Sequence, residues 1–394
     1  MYNRKHVFIA ACLGMLVYGT IMSVLGAVLP SVITKFGLNK VDAGSLFLLM
    51  TLGILIGSLI FGPIVDRFGY KGILIGSTVI VFLGFFGISQ APSLLWIRTS
   101  LLVIGFAGGM LNGGTNTIVS DISTGSRGSG LTYLGAFFGI GAFGVPFILG
   151  VSLDYFSYEV LIGGVGSLVL IPLIYFIFLR FPAPKQVQGF PVAEGLSLTK
   201  ESTLLLFGLI LFMQSGLEIT IGGWSAAFLI EELAFEERSA VLMLSIYWLG
   251  FLVARIIAGK LLQRYSSAAI LKISIGTSFI GIILFFLAQD AILVVTGLFL
   301  LGLGFAPVFP VILGYVGDTF AKLSGTAFGL VLAMATAGGM FYPYVTGILA
   351  DLYSLRLALI LIPISLVSIV FFIRLVHMKM ANVTAPHNIA SNES

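Results

Sequence analysis

The hydrophobic positions of the chain form long, nearly unbroken runs, separated by short stretches of charged residues, Gly and Pro. A helix that crosses a bilayer needs about 20 consecutive apolar residues. Dividing the sequence at the polar stretches gives twelve runs of this length, which predict an all-α integral membrane protein with twelve transmembrane helices. The predicted limits are 7–33, 42–65, 72–90, 94–120, 130–153, 158–181, 203–230, 240–262, 270–289, 291–317, 325–350 and 355–376.

Composition supports a lipid environment. Of the 394 residues, 58% are hydrophobic and 9% are charged, whereas about a quarter of the residues in a soluble protein are charged. A soluble surface with so little charge would carry large apolar patches that favour aggregation. The 49 glycines fit the same environment, because small residues let membrane helices pack closely.

One long polar linker divides the spans into two sets of six. We therefore predict an N-terminal bundle at 1–181, a cytoplasmic linker at 182–202, a C-terminal bundle at 203–376 and a disordered cytoplasmic tail at 377–394. The two sets repeat at a constant separation of 197 residues, without a gap. Pairs at this separation include Gly53 and Gly250, Arg67 and Arg264, Asp121 and Asp318, Pro146 and Pro343, and Asp154 and Asp351. Two like halves around a central site are common in secondary transporters.

The distribution of Lys and Arg predicts the orientation. Fourteen of them fall in the loops on the side of the two termini and five on the other side, so the positive-inside rule places both termini in the cytoplasm. The outer side carries instead an acidic loop with Glu231, Glu232, Glu236 and Glu237. The basic residues are scattered singly, so we expect no nucleic-acid partner.

The loop after the second span reads Gly62-Pro-Ile-Val-Asp66-Arg67-Phe-Gly-Tyr-Lys71. It resembles the signature loop of the major facilitator superfamily, G-x-x-x-D-R-x-G-x-K, at the expected place. In such a loop Gly62 would allow a close helix approach, and Asp66 would face the positive end of a helix of the other half. Arg67 and Lys71 would pair with carboxylates such as Asp121. The alternative is that the basic residues only set the topology.

The second half carries a weaker copy of this loop. Arg264 repeats Arg67 and Asp318 repeats Asp121, but Gln263 stands where Asp66 would repeat. We therefore expect gating groups in both halves, with gates of unequal strength. They are Gly62, Asp66, Arg67, Lys71, Asp121, Arg255, Arg264 and Asp318.

Spans 4, 7, 8 and 10 narrow the resemblance. The stretches Gly216-Leu-Glu218 to Trp224, Tyr247 to Arg255, and Gly302 to Pro310 look like the fucose permease and glucose/mannose–proton symporter branch of the superfamily. The resemblance implies two six-helix bundles around a cavity lined by spans 1, 4, 7 and 10. It also implies sugar uptake coupled to protons or sodium, and for Arg255 a role in the cytoplasmic gate. Snorkelling of Arg255 to the inner interface is the alternative.

Glu218 is the one carboxylate predicted in the middle of a span. A charge at bilayer depth is costly and usually faces a cavity. Desolvation favours the protonated form of a carboxyl, so Glu218 is suited to bind and release a proton, and we predict it to be the coupling residue. Gln214, four residues earlier, shares its helix face. A carboxyl that only fixes helix packing is the alternative.

Asn112 and Asn116 in span 4 share a face and offer donors and acceptors without charge, which suits the hydroxyls of a sugar. Bonds between helices are the alternative use of such amides. Proton-coupled members of the branch tend to carry a glutamate where Asn112 stands, so its absence here either argues against proton coupling or leaves the coupling to Glu218 alone. Aromatic rings can stack on the apolar face of a sugar. The predicted substrate-binding residues are Asn112, Asn116, Gln214, Glu218, Trp224, Tyr247 and Phe309.

Nothing in the sequence favours enzyme chemistry, a metal or a cofactor. The three histidines lie near the termini, the lone Cys12 cannot form an intramolecular disulfide, and no phosphate-binding loop of the ATPase type occurs. We expect a monomeric sugar importer in a bacterial inner membrane, with a small solute, a proton or sodium ion and the bilayer as partners. A proton-coupled drug or metabolite exporter and a non-transporting receptor or scaffold remain alternatives.

Overall fold

The computed structural model describes residues 2–122, 127–182, 200–261, 264–320 and 324–384. These residues contain twelve helices long and apolar enough to cross a membrane, one for each predicted span. We label them in order α1 (Arg4–Phe36), α2 (Lys40–Gly62), α3 (Arg67–Ser89), α4 (Leu94–Ile122), α5 (Tyr133–Ser152), α6 (Tyr158–Phe178), α7 (Ser202–Leu233), α8 (Glu237–Ala258), α9 (Ser267–Leu287), α10 (Ala291–Thr319), α11 (Ala327–Leu352) and α12 (Leu355–Lys379). The predicted fold class is confirmed.

Local chain breaks shape several of these helices. Helical structure runs from α2 into α3 and turns at Gly69, where φ is 75° and ψ is 175°, a backbone conformation that essentially only glycine adopts. The predicted signature loop thus needs this glycine for its turn. In α10, helical structure stops at Phe305 and resumes at Val308, around Pro307, which has no N–H to donate.

The C-terminal helix is longer than the sequence pattern predicts. Helical structure continues from Leu361 to Thr384, although we predicted a disordered tail from residue 377. We based that prediction on the change from apolar to polar residues near 377, and a helix can continue past such a change. The predicted linker residues 183–199 and tail residues 385–394 lie outside the described part of the chain.

The sequence repeat reappears in the packing of the two bundles. In the N-terminal bundle a Cβ on Gly53 of α2 would lie 2.2 Å from the carbonyl oxygen of Leu102 of α4. In the C-terminal bundle the partners 197 residues later, Gly250 of α8 and Phe299 of α10, give 2.3 Å. Such distances leave no room for a side chain, so the same backbone approach is built twice.

The two bundles meet along α2 with α11 and α5 with α8. We call the end of the molecule that carries both termini the terminal end, and the other the opposite end. Among the described residues, four hydrogen bonds or ion pairs that join the bundles lie at the opposite end. The bundles are therefore held against each other at the opposite end.

Candidate functional site

Glu218 and Gln214 form a polar pair in the middle of α7. Their spacing of four residues puts both on one helix face, and Gln214 Nε2 donates to Glu218 Oε1 at 3.1 Å. The same amide nitrogen donates to the carbonyl oxygen of Phe305 in α10 at 3.0 Å. Gln214 is buried while Glu218 is half-buried, so the buried glutamine amide fixes the position of the more exposed carboxyl.

The Phe305 carbonyl can accept this hydrogen bond because the helical structure of α10 is broken there. Phe305 ends the first helical segment, two residues before Pro307, and its carbonyl turns toward α7. Tyr247 of α8 is fully buried beside it, with ring centroids 6.5 Å apart, and its hydroxyl donates to the backbone oxygen of Glu218 at 3.4 Å. Residues from α7, α8 and α10 thus meet around Glu218, as the substrate-site prediction for Gln214, Glu218 and Tyr247 requires.

Two further side chains interact electrostatically with the Glu218 carboxyl. One is Arg255 of α8, and the other is Tyr18 of α1 in the N-terminal bundle. The Tyr18 ring packs against Phe138 of α5 at 5.6 Å and against Gly108 of α4. Because Gly108 lies one turn before Asn112 on the same helix, Tyr18 contacts α4 near the predicted asparagines and also interacts electrostatically with the carboxyl of α7.

The predicted asparagine pair is bonded within α4. Asn116 Nδ2 donates to Asn112 Oδ1 at 2.9 Å and to the Asn112 backbone oxygen at 2.8 Å. Both residues are half-buried. The pair still has free amide valences, because Asn112 retains both N–H donors of its side chain. Among the described bonds, none links these amides directly to Glu218, so the polar groups of the two bundles form separate sets.

Trp224 and Phe309 occupy other surroundings. Trp224 is fully buried near the opposite end, where its indole N–H donates to the Pro343 carbonyl at 3.1 Å and its ring packs on Phe47 at 6.0 Å. Its contacts with Pro343 and Phe47 therefore lie near the opposite end, away from Glu218. Phe309 lies half-buried in α10, one turn beyond Phe305.

At the terminal end, the described residues Gly62, Arg67 and Lys71 do not make the contacts predicted for the gate. A Cβ on Gly62 would meet no atom within 4 Å, so the close helix approach predicted there is absent. Arg67 packs over the ring of Phe68, which is 64% exposed, and Lys71 donates to the Ile177 carbonyl at 2.7 Å. The physical reason is that the bundles are joined at the other end. The side chain of Asp66 lies outside the described residues.

The remaining predicted gating residues lie near this end as well. Asp121 accepts a hydrogen bond from the Tyr70 hydroxyl at 2.6 Å. Among the bonds described, its partner is therefore this tyrosine of the signature loop and not Arg67 or Lys71. Arg264 and Asp318 are exposed. Gln263 lies outside the described residues.

A second set of polar groups, at the opposite end, was not predicted as functional. Lys40 pairs with Glu231, Arg238 pairs with Asp154, Ser31 bonds to Glu237, and the Lys40 backbone N–H donates to Asp351. We call these seven residues the clasp. Two features of the sequence point to these residues, the acidic loop and the repeat of Asp154 by Asp351. They indicate topology and an internal repeat, but the sequence alone does not show which partners these residues contact.

Comparison with known proteins identifies the fold. The family model described as Major Facilitator Superfamily matches residues 11–232 and again 204–391. The uncharacterised transporter y4wD of Sinorhizobium fredii is 26% identical over 89% of this chain and 92% of its own. The glucose/mannose transporter GlcP of Bacillus subtilis is 22% identical over 82% of each chain. The crystal structure of a D-xylose-proton symporter superposes with a TM-score of 0.78, at 14% identity, over 93% of this chain and 97% of that one.

Proposed function

The chain belongs to the major facilitator superfamily, and from that premise we propose that it takes up a small sugar-like solute by symport with a proton. Members of this family are multi-pass membrane transporters and not enzymes, so transport of a small molecule is the activity to be explained. The observation that carries the proposal is the Glu218–Gln214 pair at the centre of α7, within electrostatic reach of groups from both bundles.

The polar groups of the site suit a solute with several hydroxyls. Asn112 and Asn116 offer uncharged donors and acceptors from one bundle, and the Glu218 carboxyl offers acceptors from the other. The relation to a glucose/mannose transporter supports a sugar. An exporter of apolar drugs would be served by an apolar cavity, which these amides and the carboxyl do not provide.

The coupling mechanism follows from the cost of charge at bilayer depth. A protonated Glu218 is neutral, so the site can close around the bound solute without burying a carboxylate charge beside it. Binding of a proton with the solute therefore lowers the barrier for the loaded transporter. The return of the empty transporter requires that the proton leaves on the other side.

The orientation and the working unit are part of the same proposal. From the Lys and Arg distribution we place both termini in the cytoplasm and the clasp outside, in the inner membrane of a bacterium. The conformation described is then open toward the cytoplasm. Because one chain supplies polar groups from both of its bundles, we propose that the monomer is the functional unit.

The test is transport by the purified full chain in proteoliposomes. A counterflow panel of hexoses and amino sugars identifies the solute, and a proton gradient then tests accumulation. We expect Glu218→Gln to abolish uphill uptake while exchange persists, because the variant stays neutral throughout the cycle. Glu159→Gln is the matched control, since that carboxylate pairs with Lys35 far from the site. Full accumulation by Glu218→Gln would remove Glu218 from the coupling role.

A further inference from the structure

Arg255 is an arginine at the interface of the two bundles that the proposed mechanism leaves without a task. Its guanidinium carbon lies 4.9 Å from the ring centroid of Phe251, one turn earlier on α8. Its side chain also packs across the interface, where Arg255 Cδ lies 3.4 Å from the place a Cβ on Gly135 of α5 would take. Phe251 packs on Phe138 of α5 at 5.8 Å, so arginine and ring together lie between the bundles.

Among the described residues, the guanidinium has no hydrogen-bond or ion-pair partner. Arg255 Nε is buried and makes no hydrogen bond, and in the described part of the chain no carboxylate forms an ion pair with Arg255. A guanidinium carries five N–H donors in a rigid fork. Placing that charge within a membrane-spanning bundle is costly unless something pairs with it. A buried polar atom without a partner needs an explanation, and a bound ligand that supplies the missing partner is one.

The carboxylate within electrostatic reach of this guanidinium is Glu218. The other titratable groups that bear on Glu218 are the hydroxyl groups of Tyr18 from α1 and Tyr247 from α8. Neither tyrosine contributes a charge at neutral pH. The net charge of the site is therefore set by Arg255, which is always protonated, together with the proton on Glu218.

We propose that Arg255 binds a carboxylate of the solute, so that the transported solute is a sugar acid. This inference rests on the proposed function and names its substrate class. The planar fork of arginine matches a carboxylate in a bidentate pair, and the amides of α4 would take the hydroxyls of the same molecule. A neutral sugar would leave the charge of the arginine uncompensated.

The same geometry couples binding of the solute to protonation of Glu218, because the Glu218 carboxylate and the solute carboxylate compete for Arg255. With Glu218 ionised, its charge compensates Arg255 and the site is neutral overall, so an anion is not favoured. With Glu218 protonated, the site has one net positive charge and accepts one monoanion. One proton and one monoanion therefore enter together, and the loaded transporter carries no net charge beyond that of the empty one. Uptake is electroneutral on this scheme.

The test compares glucose with its acids glucuronate and gluconate in counterflow by the full chain in proteoliposomes. We expect exchange of a sugar acid that exceeds glucose exchange by about tenfold or more, because a site built for a charged group strongly rejects an analogue that lacks it. Arg255→Gln should remove that preference and Arg255→Lys should retain part of it, since lysine keeps the charge without the fork. Uptake driven by a pH gradient should not change when a potassium diffusion potential is imposed.

A matched control separates this role from general stability. Arg356→Gln removes an arginine that also stacks on a phenylalanine, Phe228, but that is paired with Glu232 at the opposite end. We expect it to leave the substrate preference unchanged. Glucose exchange at full rate in wild type and in both Arg255 variants would overturn the inference and leave the proposed sugar transport standing. Exchange of neither solute class would overturn the proposed function together with it.

Discussion

At the scale of single residues, Gln214 serves two acceptors with one amide nitrogen, the Glu218 carboxyl and the Phe305 carbonyl. We expect Gln214→Met, which keeps the size of the side chain but removes its donors, to lower stability by about 1–3 kcal/mol, the cost of a buried polar group left unpaired. The change should appear as a lower midpoint in thermal unfolding of the purified protein in detergent. The same substitution at exposed Gln90 is the control and should have little effect. Equal midpoints for the two variants would show that the Gln214 bonds do not stabilise the site.

The asparagines of α4 make a different prediction at this scale. Asn112→Ala would remove the side-chain acceptor that Asn116 uses, but not the backbone one, together with the donors that we assign to the solute. We expect a higher KM for the solute, by about tenfold, as for the loss of one or two hydrogen bonds of about 1 kcal/mol each. Stability should change little because both side chains are half-buried. Thr117→Ala is a control in the same helix, since its hydroxyl bonds only to the Gly113 carbonyl of its own turn. An unchanged KM in Asn112→Ala would place the solute elsewhere.

At the scale of helices, the bundles depend on backbone approaches that repeat every 197 residues. A Cβ on Gly302 of α10 would lie 2.0 Å from the Tyr247 carbonyl oxygen of α8, whereas a Cβ on Gly276 of α9 would meet nothing within 4 Å. We expect Gly302→Ala to force α8 and α10 apart and to cost about 1–3 kcal/mol, as overpacking does. Gly276→Ala should be neutral or slightly stabilising, because alanine has the better helix propensity. The comparison of their unfolding midpoints checks this. A stable Gly302→Ala variant would mean that the two helices can separate at little cost.

The helices also show what the sequence could and could not specify. The twelve spans were predictable because membrane length and hydropathy leave few choices, and the repeat of Arg67, Asp121 and Asp154 fixed the two-bundle plan. The pairing of Gln214 with Glu218 followed from a spacing of four residues within one helix. The contacts of Trp224 with Pro343 and of Arg238 with Asp154 join distant segments, and no local pattern encodes them. The state of the gate at Gly62 and Arg67 depends on the conformation, which a single sequence does not select.

At the scale of the whole molecule, the clasp explains which conformation is described. Its bonds connect the start of α2 to the ends of α7 and α11, and the end of α5 to the start of α8. Asp154 and Asp351 occupy equivalent places in the two repeats, and each contacts the first turn of a helix of the other bundle. Carboxylates are favourable at that end of a helix. The clasp therefore holds the bundles together at the opposite end.

Exposed ion pairs contribute little individually, about 0–1 kcal/mol each, and this makes the clasp suitable for a gate that must open in every cycle. Removing two such pairs with Lys40→Gln and Arg238→Gln should shift the ratio of the two conformations by up to about thirtyfold, at 1.4 kcal/mol for each factor of ten. The shift should favour the state that is open at the opposite end. Spin labels at exposed positions 156 and 236, in a Cys12→Ala background, report it as a longer interbundle distance. Lys35→Gln provides the control. It removes the same kind of charge at the same end, but the Lys35–Glu159 pair lies within one bundle. If Lys35→Gln lengthens the distance as much as the double variant does, loss of surface charge and not loss of the clasp opens the gate.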